Sequence, residues 1–424
     1  MRFPFRSLLA LACAALLAAP ASAQQGLGQL GRGLPAATDP LLRLPGQAAR
    51  GVRDALGPVA DDLARPVLDH VRESRRLLRR HPRLLDVDAA SALVMKQQVV
   101  ALSPSPEALA RIAAAGFVIA ETRPLEELGM ELVVLRVPPA LDPRAALARL
   151  RQLDPAGSYE FDHVYLRSGG APASAATTPS MPATAQALRV GLVDGGVDAA
   201  HPALASATTH AWGCDGRRVP DAHGTAVASL LLGGSGAQAS GGSLYAADIW
   251  CGQPVGGASS ALVQALAWMA REQVPVINVS LVGPDNALLR QATQALVQRG
   301  FVLVAAVGND GPAAPPLYPA AYPGVIGVSA VDRRGRVLPE AGRGPQVDFA
   351  ALGSGLRAAR VGGGWAAVRG TSFAAPLVAH RAALQVGAPR AGNGERVLQA
   401  LARSAHRGDE GTRDDSLGLG VIEE

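Results

Sequence analysis

Leu188-Arg189-Val190-Gly191-Leu192-Val193-Asp194-Gly195-Gly196 reads as a buried strand with an acid at its carboxyl end and a glycine turn behind it. In open parallel sheets, ligands bind outside the carboxyl ends of the strands, so Asp194 falls where chemistry is done. A strand-end Asp also caps turns, and its companions must decide between the two roles. Two more strands of the same apolar kind follow, Val274 to Leu281 and Phe301 to Val307, and the second enters Gly308-Asn309-Asp310-Gly311. His223-Gly224-Thr225-Ala226-Val227-Ala228-Ser229 starts an apolar helix. Gly370-Thr371-Ser372-Phe373-Ala374-Ala375-Pro376 leads into another, from Leu377 to Leu384. Strand, helix, strand, helix in this order predicts an α/β fold, a doubly wound and mostly parallel sheet with helices on both faces.

A serine hydroxyl is a poor nucleophile at neutral pH. It needs a base in contact, an orienter for that base and donors for the oxyanion. Ser372 at a helix mouth, His223 at a helix start and Asp194 at a strand end are candidates for the three side chains. Each alone has an ordinary structural alternative, since Ser and Thr cap helices routinely. Asn309, held at a strand end by glycines, can aim its amide at a developing oxyanion. The chain order Asp, His, Ser separates this set from the two other common serine-triad orders.

Taken together these residues resemble the subtilisin-like serine peptidases, from about Leu188 to the C-terminus. Asp194-Gly195-Gly196-Val197-Asp198 with His201-Pro202 is similar to the family's aspartate motif, His223-Gly224-Thr225 to its histidine motif, and Gly370-Thr371-Ser372 with Ala375-Pro376 to its serine motif. Ile277-Asn278-Val279-Ser280-Leu281 resembles the strand lining the substrate cleft, and Gly308-Asn309 resembles the oxyanion-hole motif. Tyr318-Pro319-Ala320 through Ile326 and Asp415-Ser416-Leu417-Gly418 also follow the family's pattern. The resemblance implies that Ser372 attacks a peptide carbonyl, His223 moves the proton, Asp194 orients the imidazole and Asn309 donates to the oxyanion. It implies that Ser280, Leu281, Val282 and Gly283 bind protein or peptide substrates. Calcium enters only through the resemblance, and no acidic cluster in the sequence marks a site for it.

Three departures bear on these expectations. Gly195 stands where the family usually has Ser or Thr, which predicts a looser hold on Asp194. Ala226 replaces a frequent His. Val282 stands where a small Gly commonly forms a pocket wall, which predicts a narrowed or reshaped first specificity pocket.

The preceding chain divides by composition. Residues 1–23, with Arg2 and Arg6, an apolar stretch and Ala21-Ser22-Ala23, have the layout of a secretory signal peptide. Residues 24–90 form a flexible leader that becomes helical and Arg-rich, with helical spacing from Val59 to Leu84. Residues 91–167 show a βαββαβ order, with Pro106 and Asp142-Pro143 at helix starts and Gly116 at a helix end; this predicts a ferredoxin-like unit. The family resemblance gives that unit the role of an inhibitor-type propeptide, the chain's own intramolecular inhibitor. Residues 168–186 are a Ser, Gly, Ala, Thr and Pro linker suited to proteolysis, and residues 187–424 form the peptidase domain.

The 424 residues are 48% hydrophobic and 4% aromatic, enough for a core of Ala, Val and Leu. From Ala187 onward 19 Arg stand against 18 Asp plus Glu. That balance offers no basic stripe for nucleic acid. No stretch after the signal-like segment is apolar enough to span a membrane as a helix. Removing residues 1–23 leaves Cys214 and Cys251, for which a disulfide in an oxidising, secreted location is the simplest expectation. An α/β-hydrolase esterase would need Gly-x-Ser-x-Gly and the order Ser, Asp, His, which the chain contradicts. The alternative that stays open is a weak or inactive relative that binds peptides in the cleft.

Overall fold

The computed structural model describes residues 72–167, 188–232, 242–406 and 413–423. The signal-like segment 1–23, the leader as far as residue 71 and the linker 168–186 lie outside the described residues.

The N-terminal part runs β1 (Leu85–Val87), β2 (Leu93–Leu102), α1 (Pro106–Ala114), β3 (Val118–Leu125), β4 (Met130–Arg136), α2 (Pro143–Leu153) and β5 (Ser158–His163). All its strand pairs are antiparallel, with β4 between β3 and β2, and with β5 and β1 sharing the other edge of β2. Both helices start as their residues dictate. Ser105 Oγ accepts from the Ala108 N–H before Pro106, and Asp142 Oδ1 accepts from the Ala145 N–H before Pro143. Gly116 ends the first turnback at φ +91°, a conformation that favours glycine. Two boundaries differ from the sequence expectation. The helix in the leader covers residues 72–80 and stops ahead of Pro82 rather than reaching Leu84, because proline disfavours helical backbone before it and supplies no N–H. Beyond it Leu85–Val87 pairs with Leu93–Met95, so the sheet gains a strand from within the leader.

The C-terminal part begins with β7 (Leu188–Asp194), β8 (Ala207–Trp212), α3 (Ala222–Leu231), β9 (Gly242–Asp248), α4 (Ser259–Arg271) and β10 (Val276–Val279). It continues with α5 (Ala287–Gln298), β12 (Val302–Ala306), β13 (Ile326–Val331), β14 (Phe349–Leu352), α6 (Thr371–Ala383), α7 (Asn393–Ser404) and β17 (Val421–Ile422). Two short pieces, β6 (Leu166–Arg167) and β11 (Leu281–Val282), pair with each other, as do β15 (Ser354–Ala359) and β16 (Trp365–Arg369).

Eight strands make one sheet in the order β17-β14-β13-β12-β10-β7-β9-β8, and every pair in it is parallel. Successive side chains of a strand point to opposite faces, so a sheet covered on both sides needs apolar residues at every position. β12 shows this. Val302, Val304 and Ala306 join the core around α3 and α6, whereas Leu303, Ala305 and Val307 join the core around α4 and α5. Helices α4 and α5 are covered a second time, by the open face of the N-terminal sheet. Val100, Leu132 and Val134 share a core with Leu262, Leu266 and Leu288. The other face of that sheet holds α1 and α2 around Ile112, Leu135, Leu147 and Leu150.

From β7 the chain first builds outward on one side, through β8 and β9, and then returns to lay β10 on the opposite edge of β7. The carboxyl ends of β7 and β10 therefore flank the point where the winding reverses, which opens a crevice there.

Candidate active site

Asp194 closes β7 and is fully buried. Its carboxylate accepts from the Gly195 N–H at 2.7 Å and lies 2.8 and 2.9 Å from His223 Nδ1. A methyl group on Gly195 would sit 2.8 Å from the Asp221 side chain, so this position admits no larger residue without displacing Asp221. The departure at Gly195 is thus coupled to Asp221, and the backbone N–H supplies Asp194 with a partner.

His223 is the second residue of α3. Asp221 caps that helix, its Oδ1 accepting from the N–H groups of His223 and Gly224 at 2.9 and 3.2 Å. Gly224 touches the turn after β7: a Cβ there would lie 2.2 Å from the Gly195 carbonyl oxygen. Only glycine lets the His223 helix come this close to the Asp194 strand. The imidazole packs beside Phe373 with ring centroids 5.3 Å apart, and its Nε2 is buried with no hydrogen-bond partner.

Ser372 sits in the first turn of α6, fully buried. Its Oγ donates to the Ser280 carbonyl at 3.2 Å. Four residues on, Pro376 has no N–H, so the Ser372 carbonyl lacks its helical donor and accepts instead from Ser280 Oγ at 2.9 Å. Asn278 Nδ2 donates in turn to Ser280 Oγ at 2.9 Å. The proline that would weaken an ordinary helix thereby ties Ser372 to the strand end of β10. Asn309 follows Gly308, which has φ +102°, and its Oδ1 accepts from the Thr371 N–H at 3.0 Å. That bond fixes which way the amide faces.

Ser280, Leu281, Val282 and Gly283 line one edge of the crevice. Val282 is buried, and its Cγ1 would lie 3.8 Å from a methyl group on Gly308, with Leu317 Cδ1 at 2.7 Å from the same point. Val282 and Leu317 thus close on the space beside Gly308.

Residues 164–167 run along this edge. Leu281 pairs with Arg167 and Val282 with Leu166, antiparallel, while the Tyr165 N–H donates to the Gly257 carbonyl at 2.8 Å on the other side. The strand is therefore hydrogen-bonded between two segments of the C-terminal part. The Tyr165 ring is fully buried against Gly283, its hydroxyl donating to the Pro284 carbonyl at 2.7 Å. Burial, with nearby acidic groups, pushes that phenol well above its ordinary range. Arg167 donates to Asp221 Oδ2 at 2.8 Å and lies 4.6 Å over the Trp250 ring.

Cys214 and Cys251 form a disulfide across 37 positions. Beside it Asp248, at the end of β9, accepts from the Trp250 and Cys251 N–H groups at 2.9 Å each. Burial raises its pKa. These three residues are also the one cluster of potential metal-binding side chains among the described residues. With both sulfurs bonded to each other and one carboxylate present, the set does not suit calcium, which takes six to eight oxygen ligands.

Asp194, His223, Ser372, Asn309 and Ser280 come together from five separate segments. Asp221, Trp250 and Tyr165 were not among the sequence candidates. Asp221 carried a signal, an acid two residues before a helix-starting histidine, but it reads equally as a plain N-cap.

Among proteins of known sequence, residues 185–420 match the model of the Subtilase family. Subtilisin amylosacchariticus of Bacillus subtilis subsp. amylosacchariticus is 31% identical over 251 residues, which is 54% of this chain and 65% of that relative's length. Subtilisin of Bacillus pumilus is 30% identical over 214 residues, 47% of this chain and 77% of the relative. In fold, the chain is similar to the crystal structure of fervidolysin from Fervidobacterium pennivorans, described as a keratinolytic enzyme related to subtilisin. The TM-score is 0.63 at 17% identity, over 78% of this chain and 60% of that one.

Proposed function

The chain belongs to the subtilase family, and from that premise we propose that it is a secreted serine endopeptidase, made as a zymogen whose N-terminal part serves as its own inhibitor. The observation that carries the reading is the state of His223: Nδ1 is held by buried Asp194, and Nε2 is buried with no partner. An imidazole fixed this way is a base with one open nitrogen.

In the reaction, Ser372 Oγ leaves the Ser280 carbonyl and turns to His223 Nε2. Oγ bonds to the substrate carbonyl carbon as its proton passes to Nε2, and Asp194 stabilises the resulting imidazolium. The oxyanion is met by the Asn309 amide and the Ser372 N–H at the start of α6. The carbon–nitrogen bond then breaks, and the leaving amine takes the proton from Nε2. Water, deprotonated by the same nitrogen, releases the acyl group and restores Ser372.

The inhibitor role rests on residues 164–167, which fill the crevice as a substrate strand would. Residues 1–23 are read as the export signal. Cleavage falls in the linker that begins at residue 168.

Intact mass of the purified protein tests this, with wild type compared with Ser372→Ala, each with and without a fluorophosphonate. The expected result is a shortened wild type carrying one label and a longer, unlabelled variant. Two identical, full-length, unlabelled species would refute the peptidase reading and favour a peptide-binding protein on this fold.

A further inference from the structure

We propose that Asp221 and Trp250 form a subsite that selects a basic side chain at the second position on the acyl side of the bond to be cut. The inference rests on the peptidase reading above and adds a substrate class to it.

The position follows from register. Arg167 faces Leu281 and Leu166 faces Val282 in an antiparallel ladder. A substrate strand continued by one residue meets Ser280, whose carbonyl accepts from Ser372 Oγ. The carbonyl that Ser372 attacks therefore belongs to the residue after the arginine.

The chemistry follows from how Asp221 divides its two oxygens. Oδ1 alone accepts from both N–H groups that need a cap, leaving Oδ2 directed at the incoming strand, where it takes the Arg167 guanidinium at 2.8 Å. Helix capping needs only one oxygen, and Ser or Asn would serve as well. The second oxygen and the full charge are surplus to that task. Trp250 supplies the other wall. Its N–H is held by Asp248, the next residue is in the disulfide, and Gly256 and Gly257 lie under its ring, where a Cβ would come within 2.4 and 3.0 Å. These contacts come from the C-terminal part alone, so the ring is placed before any arginine arrives. Arginine suits such a site better than lysine, since its plane stacks on an aromatic face while its edge donates to a carboxylate. The Asp248 carboxylate beside Trp250 feels the charges of both Asp221 and Asp194, so acids gather at this corner, which disfavours an acidic side chain.

The test uses two quenched fluorogenic peptides copying residues 163–172, one with arginine and one with norleucine at the position of Arg167. They are compared on the processed protein and its Asp221→Asn variant, and the cut is located by mass spectrometry. Asparagine keeps the cap and removes the charge. Wild type is expected to favour the arginine peptide about tenfold in kcat/KM, and Asp221→Asn to favour it by less than about threefold, the scale of a partly buried ion pair joined to a cation–π contact. A wild-type preference below twofold, or one that Asp221→Asn leaves intact, overturns the subsite while leaving the peptidase reading standing. Cleavage elsewhere than after the residue following the arginine overturns the register. Protein that a fluorophosphonate labels but that cuts neither peptide also overturns the subsite. Protein that neither cuts nor labels overturns the peptidase reading, and the subsite with it.

Discussion

Replacing Asp162 by alanine should loosen the N-terminal part from the rest of the chain by about two orders of magnitude. Asp162 lies on β5, fully buried, and its carboxylate accepts from Ser259 Oγ at 2.8 Å, the Ser260 N–H at 2.9 Å and Ser260 Oγ at 2.7 Å. All three donors are in the first turn of α4, where the helix dipole also favours a negative charge. A fourth donor, Gln98 Nε2 at 2.6 Å, comes from its own sheet. Alanine leaves three donors at a buried helix start without an acceptor. Each orphaned group costs about 1–3 kcal/mol, reduced here because two are hydroxyls that can turn elsewhere. A net loss of about 3 kcal/mol is therefore expected, or roughly 150-fold in the dissociation constant. Asn286, which donates to the Phe161 carbonyl at 3.0 Å, and buried Tyr165 continue to hold, so association weakens without vanishing. The measurement is a dilution series on the Ser372→Ala chain, cut within residues 168–187 by an added protease and followed by native mass spectrometry. Using the inactive chain separates the result from any self-processing. Asp162→Asn, with one oxygen retained, should fall between. A change of less than threefold for Asp162→Ala would refute the argument that this carboxylate fastens the two parts.

Three other outcomes are expected. Asn309→Ala should lower turnover of a fluorogenic peptide by roughly 10²- to 10³-fold, the range found when an oxyanion donor is removed from a subtilisin; activity within a few fold of wild type would take Asn309 out of the oxyanion hole. Val282→Gly should open the space beside Gly308 and shift preference for the residue before the cut toward larger side chains by about tenfold or more in kcat/KM, read from a peptide series; an unchanged profile would show that Val282 does not bound that pocket. His380, fully buried in α6 with Nδ1 bonded to the Leu231 carbonyl, has its pKa lowered chiefly by burial. The unfolded chain takes up that proton near pH 6.5 and the folded chain only at lower pH, so stability is full above about pH 6.5 and declines below it. Melting temperature of Ser372→Ala against pH should show this decline, and His380→Asn should flatten it; parallel curves would exclude His380 as the cause.

The central fold was legible because β7, β10 and β12 are covered on both faces and so appear as mainly apolar runs, broken only by Arg189 and Asn278, each ending in or leading to a polar residue at the crevice. The two N-terminal helices were legible from their caps, Ser105-Pro106 and Asp142-Pro143. Leu85–Val87 was not, since three residues carry no period and their partner lies across a turn. β2 likewise begins at Leu93 rather than Gln98, because its first half is edged by a strand the sequence did not disclose. Within the site, side chains that act through motifs stood out. Tyr165, Trp250 and Asp221 did not, because their roles come from a strand crossing between parts of the chain more than fifty residues apart. The bond from Ser372 Oγ to Ser280 was likewise invisible, being set by a carbonyl that no side-chain pattern reports.

The ladder between β6 and β11 has a consequence for selection that lies outside side chains altogether. β11 gives its main-chain donors and acceptors to β6, and the Gly257 carbonyl accepts from the Tyr165 N–H of the same segment across the crevice. A segment can meet both only when fully extended and with its own N–H and C=O groups unspent, which excludes residues engaged in a helix or in the interior of a sheet. If the crevice takes substrate as proposed, it would screen for conformation before it screens for sequence. On the peptidase reading proposed above, loose termini, long loops and denatured chains would pass that screen, while segments held in helices or sheet interiors would not.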